Sequence, residues 1–122
     1  MKKILVADDT FHIRETVQEL LTKEGYFVKT ASSTDETWTM IQAWNPDLLL
    51  LDILIPGMDL TRFVEKINTV EGLKVLYLSV IKKFMAKRKQ LLDLSDAIKG
   101  YIHKPFSVED LLRKVEAVLS EE

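Results

Sequence analysis

Two periods of apolar and polar residues replace one another along this chain from end to end. Short apolar runs at Ile4 to Ala7, Tyr26 to Ala31, Asp47 to Leu51, Lys74 to Ser79 and Gly100 to His103 have the length and composition of strands. Between and after them apolar residues recur at helical spacing. One stripe is Ile13, Val17, Leu20 and Leu21, a second is Thr37, Ile41 and Trp44, and a third is Leu60, Phe63, Val64 and Ile67. A weaker stripe of Phe84, Arg88, Leu91 and Leu92 predicts a fourth helix, and Val108, Leu111, Leu112, Val115 and Leu119 predict a fifth. Ser33 with Glu36 and Ser107 with Asp110 stand at capping-box spacing, while Gly25 and Gly72 stand where helices are expected to stop.

Five repetitions of strand then helix, joined by right-handed crossovers, predict an α/β fold, a doubly wound (βα)5 parallel five-stranded sheet with helices on both faces. The run Leu48-Leu49-Leu50-Leu51 does not alternate, so both of its faces must be covered, which places it at the centre of the sheet. Tyr26-Phe27-Val28-Lys29-Thr30 mixes in polar residues, as an edge strand does. The flavodoxin-like strand order 2-1-3-4-5 satisfies both requirements. No linker or low-complexity stretch divides the chain, and residues 1–122 read as one domain.

Composition narrows the class without naming a chemistry. With 47% hydrophobic and 30% charged residues and a formal net charge of -2, the chain is neither a disordered acidic segment nor a basic nucleic-acid binder. It has no cysteine, which excludes disulfides and thiolate metal sites and suits a reducing compartment. The run after Met1-Lys2-Lys3 is too short for a signal peptide, and Asp52 interrupts the longest apolar stretch well before the ~18 residues a bilayer requires. A cytoplasmic protein with no membrane contact and no direct nucleic-acid partner is therefore expected.

Ligands of an open parallel sheet bind beyond the carboxyl ends of its strands, near the point where strand order reverses. The residues there are Asp8-Asp9-Thr10, Asp52, Ser79 and Lys104-Pro105-Phe106, and the proposed order makes their four strands neighbours. Three carboxylates gathered this way repel one another by several kcal/mol for a close pair at an effective dielectric of about 20. Lys104 offsets one charge only. A hard divalent cation with oxygen ligands offsets the rest, and Mg²⁺ suits such a site better than zinc. With the charge balanced, one carboxylate can act as a nucleophile toward phosphorus.

Leu5-Val6-Ala7-Asp8-Asp9, Leu51-Asp52-Ile53-Leu54-Ile55-Pro56-Gly57-Met58-Asp59, Ser79 and Lys104-Pro105-Phe106 together resemble the signature set of response-regulator receiver domains of two-component systems, the single-domain CheY-like kind. The similarity spans essentially the whole chain. It implies that Asp52 is the phosphoacceptor, and that Asp8, Asp9, a carboxylate oxygen of Asp52 and the main-chain carbonyl of Leu54 hold Mg²⁺. It further implies that Ser79 hydrogen-bonds the phosphoryl group, that Lys104 pairs with it, and that the Lys104–Pro105 bond is cis. The donor would be a sensor histidine kinase or a phosphotransfer protein. The surface of the fourth helix, fifth strand and fifth helix would control an unknown output partner, with Ser79 and Tyr101 as switch residues. Such a protein is a phosphorylation-dependent switch rather than an enzyme, a monomer or a weak phosphorylation-dependent dimer. With no output domain after Glu121-Glu122 it would act by binding, unless the chain is part of a longer regulator.

Several features carry two readings. Asp8 and Asp9 taken alone equally well cap the first helix. Tyr101 fits a packing role as well as a switch. Lys82, Lys83, Lys87, Arg88 and Lys89 form either a solvated face or a docking surface for an acidic partner. His12 and His103 read as surface residues rather than ligands, and Trp38, Met40 and Trp44 as helix packing. The chain also departs from the family pattern. Leu60 stands where Gly is usual, Val80 where Ala or Gly is usual, and Ala97-Ile98 where Gly-Ala is usual. Three other functions compete. A dehalogenase-like phosphatase needs a second Asp where this chain has Thr10, and a flavin carrier needs a phosphate-cradling loop where it has Asp8-Asp9. A receiver-shaped module that is never phosphorylated is the nearest rival.

Overall fold

A computed structural model describes residues 2–80 and 89–120. In chain order the elements are β1 (Lys3–Ala7), α1 (Phe11–Lys23), β2 (Phe27–Ala31), α2 (Thr34–Trp44), β3 (Leu48–Asp52), α3 (Leu60–Ile67) and β4 (Lys74–Val80). They continue with α4 (described residues 89–92), β5 (Ile98–Lys104) and α5 (Val108–Leu119). All pairings are parallel and the sheet order is β2-β1-β3-β4-β5, as the hydrophobic pattern predicts.

The unalternating leucine run explains the layering. Leu48 and Leu50 face Val17 and Leu21 of α1 and Leu111, Val115 and Val118 of α5, while Leu49 and Leu51 face Ile41 of α2 and Phe63, Val64 and Ile67 of α3. All four leucines are fully buried, and each contributes about 1.5–3 kcal/mol of apolar burial. β2 at the edge shows the opposite pattern, with Phe27 and Lys29 exposed.

The local signals mostly hold, and three expectations are corrected. Ser33 Oγ accepts from the Glu36 N–H (3.1 Å) and Ser107 Oγ from the Asp110 N–H (3.0 Å), so α2 and α5 start where their caps predict. Gly25 adopts the left-handed φ of 93° directly after the C-cap of α1. Gly72 does not end α3, which already stops at Ile67, and its φ of 82° serves the turn into β4. Val108 belongs to the apolar stripe of α5 by spacing, yet it lies in the first turn beyond the sheet rim and is 48% exposed. β5 starts at Ile98 rather than Gly100, because a bulge at Lys99 lets the strand continue past an irregular register, with Val75 opposite Ile98 and Leu76 opposite Gly100. Phe84 and Arg88 of the fourth stripe, and Lys82, Lys83, Lys87 and Arg88 of the basic cluster, lie outside the described residues. Among the described residues no helix is long and apolar enough to cross a membrane.

Candidate functional site

The site forms where β1, β3 and β5 end. Asp8, one residue past β1, is fully buried, and every polar group it offers is engaged. Its N–H donates to Ala31 O (3.1 Å), Oδ1 accepts from the Thr10 N–H (2.8 Å), and Oδ2 accepts from Lys104 Nζ (2.5 Å). Asp9, next in the chain, is exposed. Asp52 closes β3 at 4% exposure, with Oδ1 accepting from the Leu54 N–H (3.0 Å) and Oδ2 at 3.7 Å from Lys104 Nζ. One carboxylate oxygen from each of Asp8, Asp9 and Asp52 lies within 4.8 Å of the others.

The α1 cap falls to Thr10 by backbone geometry, without a side-chain bond, so the capping reading of Asp8 and Asp9 does not account for them. Lys104 ends β5, and its ammonium reaches across β4 and β3 to Asp8 while remaining near Asp52. The Lys104–Pro105 peptide is cis. Burial pushes the Asp52 carboxyl above its ordinary range; the Leu54 N–H and Lys104 oppose that push, while Asp8 and Asp9 add to it. Three carboxylates gather against the Lys104 ammonium and the Arg14 guanidinium, which leaves the cluster net negative, and the donors are all oxygen. That set fits a hard divalent cation such as Mg²⁺.

Ser79 lies near the end of β4, is 1% exposed, and its Oγ has no hydrogen-bond partner among the described residues. A buried hydroxyl ordinarily finds a partner, and this one is an exception among the described residues. Leu54 sits in the turn after Asp52, its side chain 51% exposed. Val80, the last residue of β4, is 47% exposed and pairs in register with Lys104. Leu60 is the first residue of α3, where Asp59 Oδ2 accepts from the Arg62 N–H (3.4 Å), so the helix forms without the usual glycine. Tyr101 is half-buried against the α3 and α4 side of the core, with Lys114 Nζ 5.5 Å over its ring. His12 is exposed as expected. His103 is half-buried rather than a free surface residue: two positions along β5 from Tyr101, it shares that face, and the two ring centroids lie 4.5 Å apart with the planes tilted by 54°.

Two residues next to the site have no counterpart in the sequence reading. Arg14 Nη1 donates to the Asp8 main-chain carbonyl (2.7 Å). A cation in the first turn of α1, which carries no acidic residue, is the wrong sign for a helix dipole and was the available signal. Thr34 Oγ1 accepts from the Met58 N–H in the loop after β3 (2.6 Å), and no pattern along the chain connects these two segments.

Residues 4–116 match the family model of the response regulator receiver domain. The chain belongs to that family. Among curated relatives, the response regulator MprA of Mycobacterium avium is 32% identical over 118 residues, which cover 96% of this chain and 50% of the relative. The receiver domain thus spans about half the length of the curated relatives it matches. Among solved structures, TrrA of Thermotoga maritima in complex with Mg²⁺–BeF superposes with a TM-score of 0.81 at 33% identity, covering 97% of this chain and 99% of that one. The chemotaxis response regulator CheY4 of Vibrio cholerae superposes with a TM-score of 0.83 at 27% identity, covering 97% and 98%. The receiver domain is accordingly that of a two-component response regulator, a signalling switch on the flavodoxin-like CheY fold.

Proposed function

We propose that this receiver domain accepts a phosphoryl group on Asp52 from a histidine kinase or phosphotransfer protein and converts that event into a changed binding surface. The observation that carries the reading is the state of Asp52. It is a buried carboxylate with one oxygen fixed by the Leu54 N–H and the other near Lys104, set between two further carboxylates. An Asp52 oxygen attacks phosphorus as the donor's P–N bond breaks, and the bonding pair remains with the donor imidazole. Asp8, Asp9, Asp52 and the Leu54 main-chain carbonyl would hold Mg²⁺, which would supply positive charge beside the transferring oxygens. The Mg²⁺–BeF complex of TrrA supports that assignment.

Lys104 balances the acyl phosphate and the Ser79 hydroxyl donates to it. The unpartnered Ser79 Oγ supports the second role. Drawing Ser79 toward the phosphoryl group alters packing on the face shared with Tyr101, and so the surface of α4, β5 and α5 that meets the output partner. Phe11, Leu54, Val80 and Val108 are about half exposed or more and sit at a strand end, in the turn after β3 or in the first turns of helices on this rim, which suits docking of a protein donor. The domain acts as a monomer or a weak phosphorylation-dependent dimer.

The test is incubation with acetyl phosphate and Mg²⁺ followed by intact mass. Wild type should gain one phosphoryl group and Asp52→Asn none; equal uptake by the two excludes Asp52 as the acceptor. Amide exchange with and without the donor should differ around Ser79 and Tyr101 as well as around Asp52. A change confined to the Asp52 turn removes the switch.

A further inference from the structure

We infer that Thr34, on an element that contributes nothing directly to the site, is a positioning residue that sets its Mg²⁺ affinity; the inference rests on the reading that Leu54 and the three carboxylates hold Mg²⁺. Thr34 opens α2 and is fully buried. Its own helix does not need the hydroxyl, because Ser33 supplies the cap. The hydroxyl instead accepts from the Met58 N–H (2.6 Å), and the Thr34 N–H, an orphan donor of the helix start, donates to Pro56 O (3.0 Å). One residue thereby bonds both ends of Pro56-Gly57-Met58. Between them Gly57 has a φ of 117°, and a Cβ built there would lie 2.3 Å from Thr34 Oγ1. The loop rests on Thr34 with no room for a side chain.

The other end of the same loop is fixed at the site, where the N–H groups of Leu54 and Ile55 donate to Oδ1 and O of Asp52 at 3.0 and 3.3 Å. The stretch that carries the Leu54 carbonyl hangs between these two anchors. With the hydroxyl bond cut, the Met58 end of the loop loses its tie while the Thr34 N–H still holds Pro56 O, and the loosened loop samples conformations in which the Leu54 carbonyl is misplaced. Affinity then falls in proportion to the binding-competent fraction.

Thr34→Val keeps the shape and removes the acceptor, whereas Thr34→Ser keeps the acceptor and removes a methyl. In Mg²⁺ titrations of the full chain followed by amide shifts of residues 52–58, Thr34→Val should bind about tenfold more weakly. Thr34→Ser should stay within about twofold of wild type, since its acceptor still holds the loop. A purely structural role would lower the urea midpoint in both variants and leave the affinity of the folded protein unchanged. Wild-type Mg²⁺ affinity in folded Thr34→Val overturns the inference and leaves the underlying reading intact. Absence of a Mg²⁺ response in wild type, or an equal response in Asp9→Ala, overturns the reading and the inference together. Gly57→Ala provides a second route, pressing the loop away from an intact Thr34. It should reproduce the loss, and wild-type affinity there counts against the anchor even if Thr34→Val does not fold.

Discussion

The two ends of the sheet treat charge in opposite ways. At the amino ends of the strands each buried or half-buried ionic group meets a matched partner. The Lys3 N–H donates to Asp47 Oδ2 (2.8 Å), Lys3 Nζ donates to Trp44 O (3.0 Å), and Lys74 Nζ donates to Val118 O (3.0 Å). Both ammonium groups sit on carbonyls at the ends of helices, where the dipole favours a cation. At the carboxyl ends three carboxylates share one ammonium, a buried serine hydroxyl has no partner among the described residues, and large apolar side chains face outward. The same fold therefore carries a satisfied end and a frustrated end. On the proposed reading a bound cation and phosphoryl group would relieve that frustration, which would assign stability and signalling to different ends of the same strands.

The largest expected effect comes from dismantling the frustrated end. Asp9→Ala removes the exposed member of the triad without touching the buried hydrogen bonds of Asp8, so the fold should persist while the Mg²⁺ response is abolished. Wild type should bind weakly before phosphorylation, because Mg²⁺ keeps several waters and few protein ligands are on offer. Indistinguishable amide-shift titrations of the two proteins would sever the link between acid cluster and cation.

Next in size is the lifetime of the acyl phosphate. Val80 pairs with Lys104 and presents a β-branched, half-exposed side chain at the rim. A side chain with few rotamers obstructs the in-line approach of water, and Val80→Ala should shorten the phosphate half-life roughly three- to tenfold. An unchanged or longer half-life after donor removal would shift attention to Leu54, the other exposed apolar side chain next to Asp52.

The fold was legible in the sequence because a parallel sheet writes itself in runs that alternate with stripes. Leu48 to Leu51 revealed a strand covered on both faces, and the polar residues of Phe27 to Thr30 revealed an edge, which together selected the strand order. Asp8, Asp9, Asp52 and Lys104 were legible as a set because strand ends converge in that order. What stayed hidden depends on contacts between distant segments. The Thr34 bond to Met58 spans 24 residues and Arg14 reaches a main-chain atom, so neither leaves a periodicity. The bulge at Lys99 that extends β5, and the ring contact of His103 with Tyr101, arise from register and pleat rather than from residue type.

A smaller effect follows from the Asp52 carboxyl, whose pKa is raised above 3.8 first by burial, with the neighbouring carboxylates adding to it. The folded state therefore holds that proton more tightly than the unfolded chain does. Its stabilising contribution is full below the unfolded pKa and is lost as pH rises through the folded one, which leaves ionised Asp52 a destabilising group at neutral pH. Asn retains the acceptor for the Leu54 N–H and removes the charge. In metal-free buffer at pH 7, Asp52→Asn should be more stable than wild type and melt at a higher temperature. The gain should fade as pH falls toward the unfolded value. A gain of constant size across pH would mean that packing, not ionisation, separates the two proteins.

The smallest effect belongs to the satisfied end, and it checks that the two ends are separable. Lys3 Nζ caps the last turn of α2 through Trp44 O and lies 5.7 Å over the Trp44 ring. Lys3→Met keeps the apolar stem and removes the ammonium. A cation at a helix C-terminus contributes about 0.3–1 kcal/mol, and a half-exposed cation–π contact adds a similar amount at most. The loss in urea denaturation should therefore lie near 1 kcal/mol and shrink in high salt, which screens the ammonium. Lys3 and the carboxylate triad lie at opposite ends of β1, so Mg²⁺ affinity and phosphoryl uptake should match wild type. A change in either would show that charge at one end of the strands is felt at the other, and would break the division between a stabilising end and a signalling end.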